Sequence, residues 1–221
     1  HSDRYAMAQE WFDYVTRLWK EDHAFDWDGT FFRGKGVYGR PHPIQSRIPV
    51  INAAASEEGR AFAMRNADFL FTPVFDFDQA KAAVDEISQK SASVGRDVNV
   101  LTFCTVVCRP TQQEAEDYLH WYANENADWD AVDNLMTLQG MHAQSFTKEA
   151  LSMFRDRFAA GHGGFPLVGT PDHIADQLER LSETGVAGTT LSFVDYAKEF
   201  PYFRQEVLPR LEAKGLRQTV N

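Results

Sequence analysis

A short apolar segment that runs into a serine-capped helix start is the feature of this sequence best suited to chemistry. The segment 48–54 is apolar, and Ala55 and Ser56 follow it before a helix-like run that begins Glu57-Glu58-Gly59. A strand ending here leaves the first backbone N–H groups of the next helix without partners, and Ser56 adds a hydroxyl at the positive end of the helix dipole. The junction predicts either a site for an anion such as a phosphate group or an N-cap and nothing more.

The histidines and cysteines give weaker indications of a functional site. The seven histidines are scattered and none has a ligand spacing such as HExxH, so no metal site is predicted. His162 lies among glycines in the segment 161–165; it either steadies an oxygen atom at a pocket mouth or is an exposed loop histidine. Cys104 and Cys108 lie four positions apart in an apolar segment and resemble core thiols rather than a disulfide or metal pair.

Composition indicates a globular chain with one sizeable core or two small ones. The sequence has 221 residues, of which 43% are hydrophobic, and a formal net charge of −10. This charge argues against nonspecific binding to nucleic acid or to an anionic membrane surface, since both carry negative charge. No apolar run approaches the roughly 20 residues of a membrane span, and the first residues do not resemble a signal peptide, so we expect a cytoplasmic protein.

The elements that must position Ser56 can be traced from the hydrophobic pattern. Apolar residues recur at helical spacing from Tyr5 to Trp19 and predict a helix over about 3–20. An irregular excursion over 25–47 contains Asp28-Gly29 between aromatic residues, which predicts a hairpin, and a buried strand is expected over 48–54.

The rest of the chain alternates between strand and helix patterns. Helices are predicted over about 56–66 and 78–94, and strands over about 68–72 and 98–108, an order that predicts parallel strands with helices outside. The segment 112–165 is predicted to be a helical insertion with helices over 112–126, 128–142 and 147–160. Thr170 and Pro171 open a further helix that Gly185 closes, before a strand over 188–193 and a helix over 196–213. No domain break is visible, so 1–221 is expected to be a single domain.

Several of these motifs, taken together and in order, resemble the bacterial luciferase-like flavin monooxygenases, nearest the pyrimidine monooxygenase branch. The resemblance spans nearly the whole chain. It rests on His1-Ser2-Asp3-Arg4-Tyr5 opening a helix that ends Arg17-Leu18-Trp19, on Asp28-Gly29-Thr30-Phe31-Phe32, on Ala55-Ser56-Glu57-Glu58-Gly59-Arg60-Ala61-Phe62-Ala63 followed by Ala67-Asp68, on Leu167-Val168-Gly169-Thr170-Pro171, and on Gly185-Val186-Ala187-Gly188.

The resemblance implies a fold and a cofactor site. The family fold is a (β/α)₈ TIM barrel, an α/β fold, and relatives are much longer, so this chain is expected to hold only the C-terminal part of the barrel. Arg4 and Tyr5 are similar to a pair that contacts FMN in the family, and Ser56 is similar to another FMN contact. Their types suit a phosphate, since Arg4 offers a guanidinium fork and the other two offer hydroxyls.

The reaction that the resemblance implies is monooxygenation with reduced FMN from a separate flavin reductase. One oxygen atom of O₂ enters a small organic substrate, a nitrogen heterocycle or an organosulfur compound, and a homodimer is expected by analogy. Two alternatives remain open: a deazaflavin-dependent oxidoreductase that transfers hydride, and an inactive half-barrel that binds flavin. His1 precedes the Arg4-Tyr5 pair and is a further candidate for facing the flavin.

Overall fold

The first helix of the structure agrees with the helix that the apolar spacing predicts. In the computed structural model, which describes residues 2–45, 47–141 and 147–218, the helix α1 covers Ser2–Lys20. Asp3 lies in its first turn, and Arg17 and Lys20 lie in its last turn, so these charges complement the helix dipole. The predicted helix over 3–20 is therefore confirmed.

The chain continues as an alternation of strands and helices. The strands are β1 Phe25–Asp28, β2 Arg33–Val37, β3 Ile51–Asn52, β4 Phe69–Phe71, β5 Asn99–Cys108, β6 Phe165–Gly169 and β7 Gly188–Ser192. The further helices are α2 Glu57–Asn66, α3 Phe77–Ala92, α4 Gln112–His120, α5 Trp129–Leu138, α6 Lys148–Gly161, α7 Pro171–Glu183, α8 Tyr196–Glu206 and α9 Leu208–Ala213, and a π-helical turn covers Trp121–Glu125. No helix of the described residues is long and apolar enough to cross a membrane.

Contacts divide the chain into two units. Unit 1 consists of 1–71 and 87–99, and unit 2 of 72–86 and 100–221. Helix α3 and strand β5 each contribute residues to both units. The single domain over 1–221 and its subdivision into an excursion and an insertion remain predictions; residue 46 of the excursion and 142–146 of the insertion lie outside the described residues.

Unit 1 combines α1 and α2 with a hairpin and a short parallel strand pair. Strands β1 and β2 are antiparallel around Asp28-Gly29, which confirms the predicted hairpin. Strands β3 and β4 are parallel, with Ile51 opposite Phe69 and Asn52 opposite Leu70.

The predicted buried strand over 48–54 is wrong in both length and burial. Only Ile51–Asn52 forms strand, and the Ile51 side chain is 57% exposed. Pro49 has no N–H to give to a ladder, and the Val50 N–H donates to the Asp68 Oδ2 at 2.9 Å instead. The Val50 carbonyl accepts from the Phe69 N–H at 3.1 Å, so the backbone pairing with β4 begins at this carbonyl.

Unit 2 contains the longest strand and most of the buried apolar side chains. Strand β5 is parallel to β6, with Cys104 opposite Phe165, and parallel to β7, with Leu101 opposite Gly188. The parallel order expected from the alternating pattern is confirmed. Cys104 and Cys108 are free, buried thiols, and burial raises the pKa of each to about 11.

Two elements of unit 2 differ from the sequence-based expectations. Strand β6 lies where no strand is predicted from the sequence; it contains Pro166, a residue typical of an edge or a loop, between the buried residues Phe165 and Leu167. The predicted closing helix over 196–213 is two helices that meet at Val207. Pro209 causes the break, since it has no N–H to continue the α8 ladder.

Candidate functional site

The junction between β3 and α2 is built by a sequence of short side-chain hydrogen bonds. The Ala54 N–H donates to the Asn52 Oδ1 at 2.8 Å, and this bond turns the chain as it leaves the strand. Ser56 then adopts an extended conformation as N-cap of α2, and its Oγ accepts from the Gly59 N–H at 3.2 Å. The predicted serine cap is confirmed, and the remaining N–H groups of the first turn have no carbonyl partner within the helix.

Helix α1 brings a second hydroxyl to this cap. The Tyr5 Oη lies 3.1 Å from the Ser56 Oγ, although 51 positions separate the two residues in the chain. Tyr5 is half-buried and Ser56 is exposed, so the pair lies where a solvent-borne ligand can reach it. Tertiary packing thus adds a phenol to what the sequence alone presents as a capping residue.

Aromatic packing and an amide pair hold α1 against α2. The Phe62 ring lies 6.2 Å from the Tyr5 ring and 6.2 Å from the Phe12 ring. Asn66, which is buried, donates from Nδ2 to the Gln9 Oε1 at 2.7 Å, and the Gln9 Nε2 donates back to the Asn66 Oδ1 at 3.0 Å. Two reciprocal hydrogen bonds of this kind fix the offset of one helix against the other, and so fix Tyr5 relative to Ser56.

The charges around the hydroxyl pair have mixed sign. Arg4 is exposed on the first turn of α1, directly before Tyr5. Glu57 and Glu58 are exposed in the first turn of α2, directly after Ser56. The two hydroxyls and the helix-start N–H groups are therefore donors of a kind that fits a phosphomonoester, and Arg4 directly precedes Tyr5 in the chain.

Gly59 makes room for the hydroxyl pair. A Cβ atom at this position would overlap the Tyr5 hydroxyl oxygen and would lie 2.5 Å from the Ala54 Cβ. The absent side chain leaves a cradle that the Tyr5 phenol fills. The two hydroxyls and the helix-start N–H groups fit an anionic group, and the space at Gly59 lets the two hydroxyls lie together.

His162 belongs to unit 2 and has a defined local role. It caps α6 in a left-handed conformation, with φ at 56°, between Gly161 and Gly163. Its exposed ring packs against Phe158 at 5.3 Å, and its Nε2 lies 3.2 Å from the Gln139 Nε2. A role for His162 with a substrate oxygen stays a prediction.

The remaining expectations concern His1 and a metal site. His1 lies outside the described residues. Among the residues that the structure describes, no group of three or more His, Cys, Asp or Glu side chains is placed to hold a metal ion.

Sequence reasoning missed the part that four residues play in shaping the junction: Asn52, Gly59, Gln9 and Asn66. One signal was available: a glycine in the first turn of a predicted helix is unfavourable and suggests a close approach by another group. No sequence signal links Gln9 to Asn66, because their contact depends on how two helices pack.

Comparison with known proteins shows similarity to flavin-dependent monooxygenases. A family model described as luciferase-like monooxygenase matches residues 1–188. The chain is 30% identical over 228 residues to an FMNH₂-dependent dimethylsulfone monooxygenase of Pseudomonas fluorescens, covering 97% of this chain and 60% of that protein. It is 27% identical over 221 residues to a pyrimidine monooxygenase of a Bradyrhizobium species, covering 97% of this chain and 60% of that protein.

Solved structures show the same fold. The crystal structure of DmoA from Hyphomicrobium sulfonivorans superimposes with a TM-score of 0.82 at 22% identity, covering 99% of this chain and 57% of that one. This similarity confirms the expected α/β fold of the TIM-barrel type. The chain spans about 60% of the length of the curated relatives that it matches.

Proposed function

We propose that this chain, which belongs to the luciferase-like monooxygenase family, binds reduced FMN and serves an FMNH₂-dependent monooxygenase reaction. Arg4, Tyr5 and Ser56 are proposed to hold the phosphate of the flavin. The observation that carries the proposal is the 3.1 Å contact between the Tyr5 Oη and the Ser56 Oγ at the start of α2. Two hydroxyls meeting at a helix N-terminus suit a phosphate far better than either would alone.

Each residue has a distinct part in this binding. The Ser56 Oγ accepts from the Gly59 N–H, so its own proton can be donated to a phosphate oxygen. The Tyr5 phenol donates to the Ser56 Oγ, which leaves the Ser56 proton free for the phosphate, and Arg4 supplies a charge that the helix-start amides cannot. Glu57 and Glu58 limit the net positive field, which favours a phosphate held by directed hydrogen bonds over one held by charge alone.

The bound flavin supplies the oxygen chemistry, in which one atom of O₂ enters the substrate. The proposed contribution of these residues is to bind and orient the cofactor from its phosphate end. Such a reaction needs few acids or bases from the protein. His162 is proposed as a weaker candidate for contact with a reacting oxygen, through the exposed imidazole that Phe158 and Gln139 support.

The relatives suggest the substrate and partners. Their names specify dimethylsulfone and pyrimidine, so we propose a small organosulfur compound or nitrogen heterocycle as substrate. A separate flavin reductase is proposed to deliver the reduced FMN, and a homodimer and a cytoplasmic location are proposed as well. The deazaflavin alternative predicts binding of a deazaflavin in preference to FMN.

Anaerobic titration with photoreduced FMN, followed through tryptophan fluorescence, tests the proposal. In the double variant Arg4→Ala/Ser56→Ala the affinity for reduced FMN is expected to fall by about 100-fold, because hydrogen bonds to a charged phosphate are lost. Arg65→Ala is the matched control, since it removes an exposed arginine from the last turn of α2. Equal FMN affinity in the double variant and the control would contradict the proposed site.

A further inference from the structure

Gly59 lies at a helical position where glycine is unfavourable. It occupies the first turn of α2, between Glu58 and Arg60, and its φ is not in the left-handed region that favours glycine. Glycine in a helix is less favourable than alanine, because it loses more backbone freedom on folding. The backbone of α2 gives no reason for a glycine here, so the reason must lie in what approaches it.

The approaching group is the Tyr5 phenol. A Cβ on Gly59 would overlap the Tyr5 Oη, lie 3.0 Å from the Tyr5 Cζ, and lie 2.5 Å from the Ala54 Cβ. Gly59 is buried, and its N–H donates to the Ser56 Oγ. A single residue thus both orients the serine hydroxyl and leaves the space that the tyrosine hydroxyl occupies.

Helix α1 has little freedom to move away from such a Cβ. One turn beyond Tyr5, the reciprocal Gln9–Asn66 hydrogen bonds hold α1 against the far end of α2. Phe62 packs against the Tyr5 and Phe12 rings on the same face. An added methyl group would therefore displace the Tyr5 ring, which would open the contact with Ser56, and would also push against Ala54 in the segment that leads to Ser56.

We propose that Gly59 is a positioning residue of the anion site: the absence of its side chain sets the Tyr5 hydroxyl beside the Ser56 hydroxyl, so that both face one phosphate. The inference rests on the proposed function, because the phosphate is taken to be that of the flavin. Gly59 touches no part of the flavin under this proposal. It acts through Tyr5 and Ser56.

The experiment compares the affinity for reduced FMN with that for reduced riboflavin, which lacks the phosphate. Tryptophan fluorescence under anaerobic conditions gives both dissociation constants for the unsubstituted chain, Gly59→Ala and Ala61→Gly. Gly59→Ala is expected to lower the FMN-to-riboflavin affinity ratio by about tenfold or more, through lost hydrogen bonds to a charged group, while leaving riboflavin binding unchanged. Ala61→Gly, an exposed exchange in the same helix, controls for helix propensity and is expected to leave the ratio unchanged.

A second variant separates positioning from general damage. Because Tyr5→Phe removes the hydroxyl that the new Cβ would overlap, adding Gly59→Ala to Tyr5→Phe is expected to lower the ratio much less than adding it to the unsubstituted chain. If Gly59→Ala has the same FMN-to-riboflavin affinity ratio as the unsubstituted chain, this inference is overturned and the proposed phosphate site is not. The same holds if Gly59→Ala loses affinity for both ligands equally. An unsubstituted chain that binds FMN no better than riboflavin overturns the proposed phosphate site, and this inference with it.

Discussion

Two strand-to-helix junctions in this protein share one local design and differ in their surroundings. Ser56 caps α2 with φ at −70° and ψ at 157°, and Thr170 caps α7 with φ at −73° and ψ at 162°. Each side-chain oxygen accepts from an N–H three residues on, at 3.2 Å from Gly59 and at 3.3 Å from His173. Seen locally, the two caps are equivalent.

The two caps differ in the groups that surround them. The Ser56 cap meets the Tyr5 phenol, whereas the Thr170 cap is followed by Pro171, which removes one of the free N–H groups of the helix start. In the first turn of α7, Asp172 forms an ion pair with Arg210 at 2.5 Å. The Ser56 junction thus gains a second hydroxyl, whereas a proline and an ion pair occupy the start of α7. The two caps therefore differ in what packs beside them, and the proposed anion site rests on that difference.

The largest expected effect is on the free energy of unfolding, and it tests the structural role of the buried face of α7. Ile174 lies fully buried on α7, and Ile174→Ala is expected to lower the free energy of unfolding by about 2–5 kcal/mol, through lost burial and a cavity. Urea denaturation measures the change. The matched control is Ile44→Ala, because the Ile44 side chain is fully exposed and its loss should change little. An equal effect of the two substitutions would contradict a structural role for the buried face of α7.

The two caps can be compared directly by removing each hydroxyl. Ser56→Ala and Thr170→Ala are each expected to lower the free energy of unfolding by about 1 kcal/mol, since both helices lose an N-cap. Only Ser56→Ala is expected to weaken the binding of reduced FMN, because only that hydroxyl is placed beside Tyr5. Urea denaturation and the anaerobic FMN titration are measured on the same preparations. Weaker FMN binding in Thr170→Ala alone would reverse the assignment of the two junctions.

The smallest expected effect comes from a third cap, in which a carboxylate replaces the hydroxyl. Asp195 caps α8, and hydrogen bonds from Lys198 hold the pKa of Asp195 below its ordinary value of 3.8. A lowered folded-state pKa means that Asp195 stabilises the fold above its ordinary pKa, and that this stabilisation is lost as the pH falls through the folded-state pKa.

Asp195→Asn should therefore reduce the free energy of unfolding slightly at neutral pH and by less near about pH 3. Urea denaturation at the two pH values measures this change. Thr170→Ala is the comparison, since a hydroxyl cap does not titrate and its loss should matter equally at both. A pH-independent difference between the unsubstituted chain and Asp195→Asn would show that the Asp195 charge has no part in the cap.

Local sequence signals predicted most of the elements because they act over a few residues. The apolar stripe that begins at Tyr5 gave α1, Ser56 and Thr170 gave the starts of α2 and α7, and Asp28-Gly29 gave the hairpin. The errors arose where a proline or a distant partner decided the outcome. Pro209 divides the last helix, and the Asp68 carboxylate takes the Val50 N–H that a longer β3 would have used.

The sequence by itself determined the α/β class, the caps and the types of residue that suit a phosphate, since these follow from periodicity, side-chain chemistry and the helix dipole. Only the tertiary structure decided that Tyr5 meets Ser56, that Gly59 leaves the space for this contact, and that Gln9 and Asn66 hold it in place. These contacts join residues more than 50 positions apart. Contacts of that kind depend on how helices pack, and no local pattern in the chain specifies them.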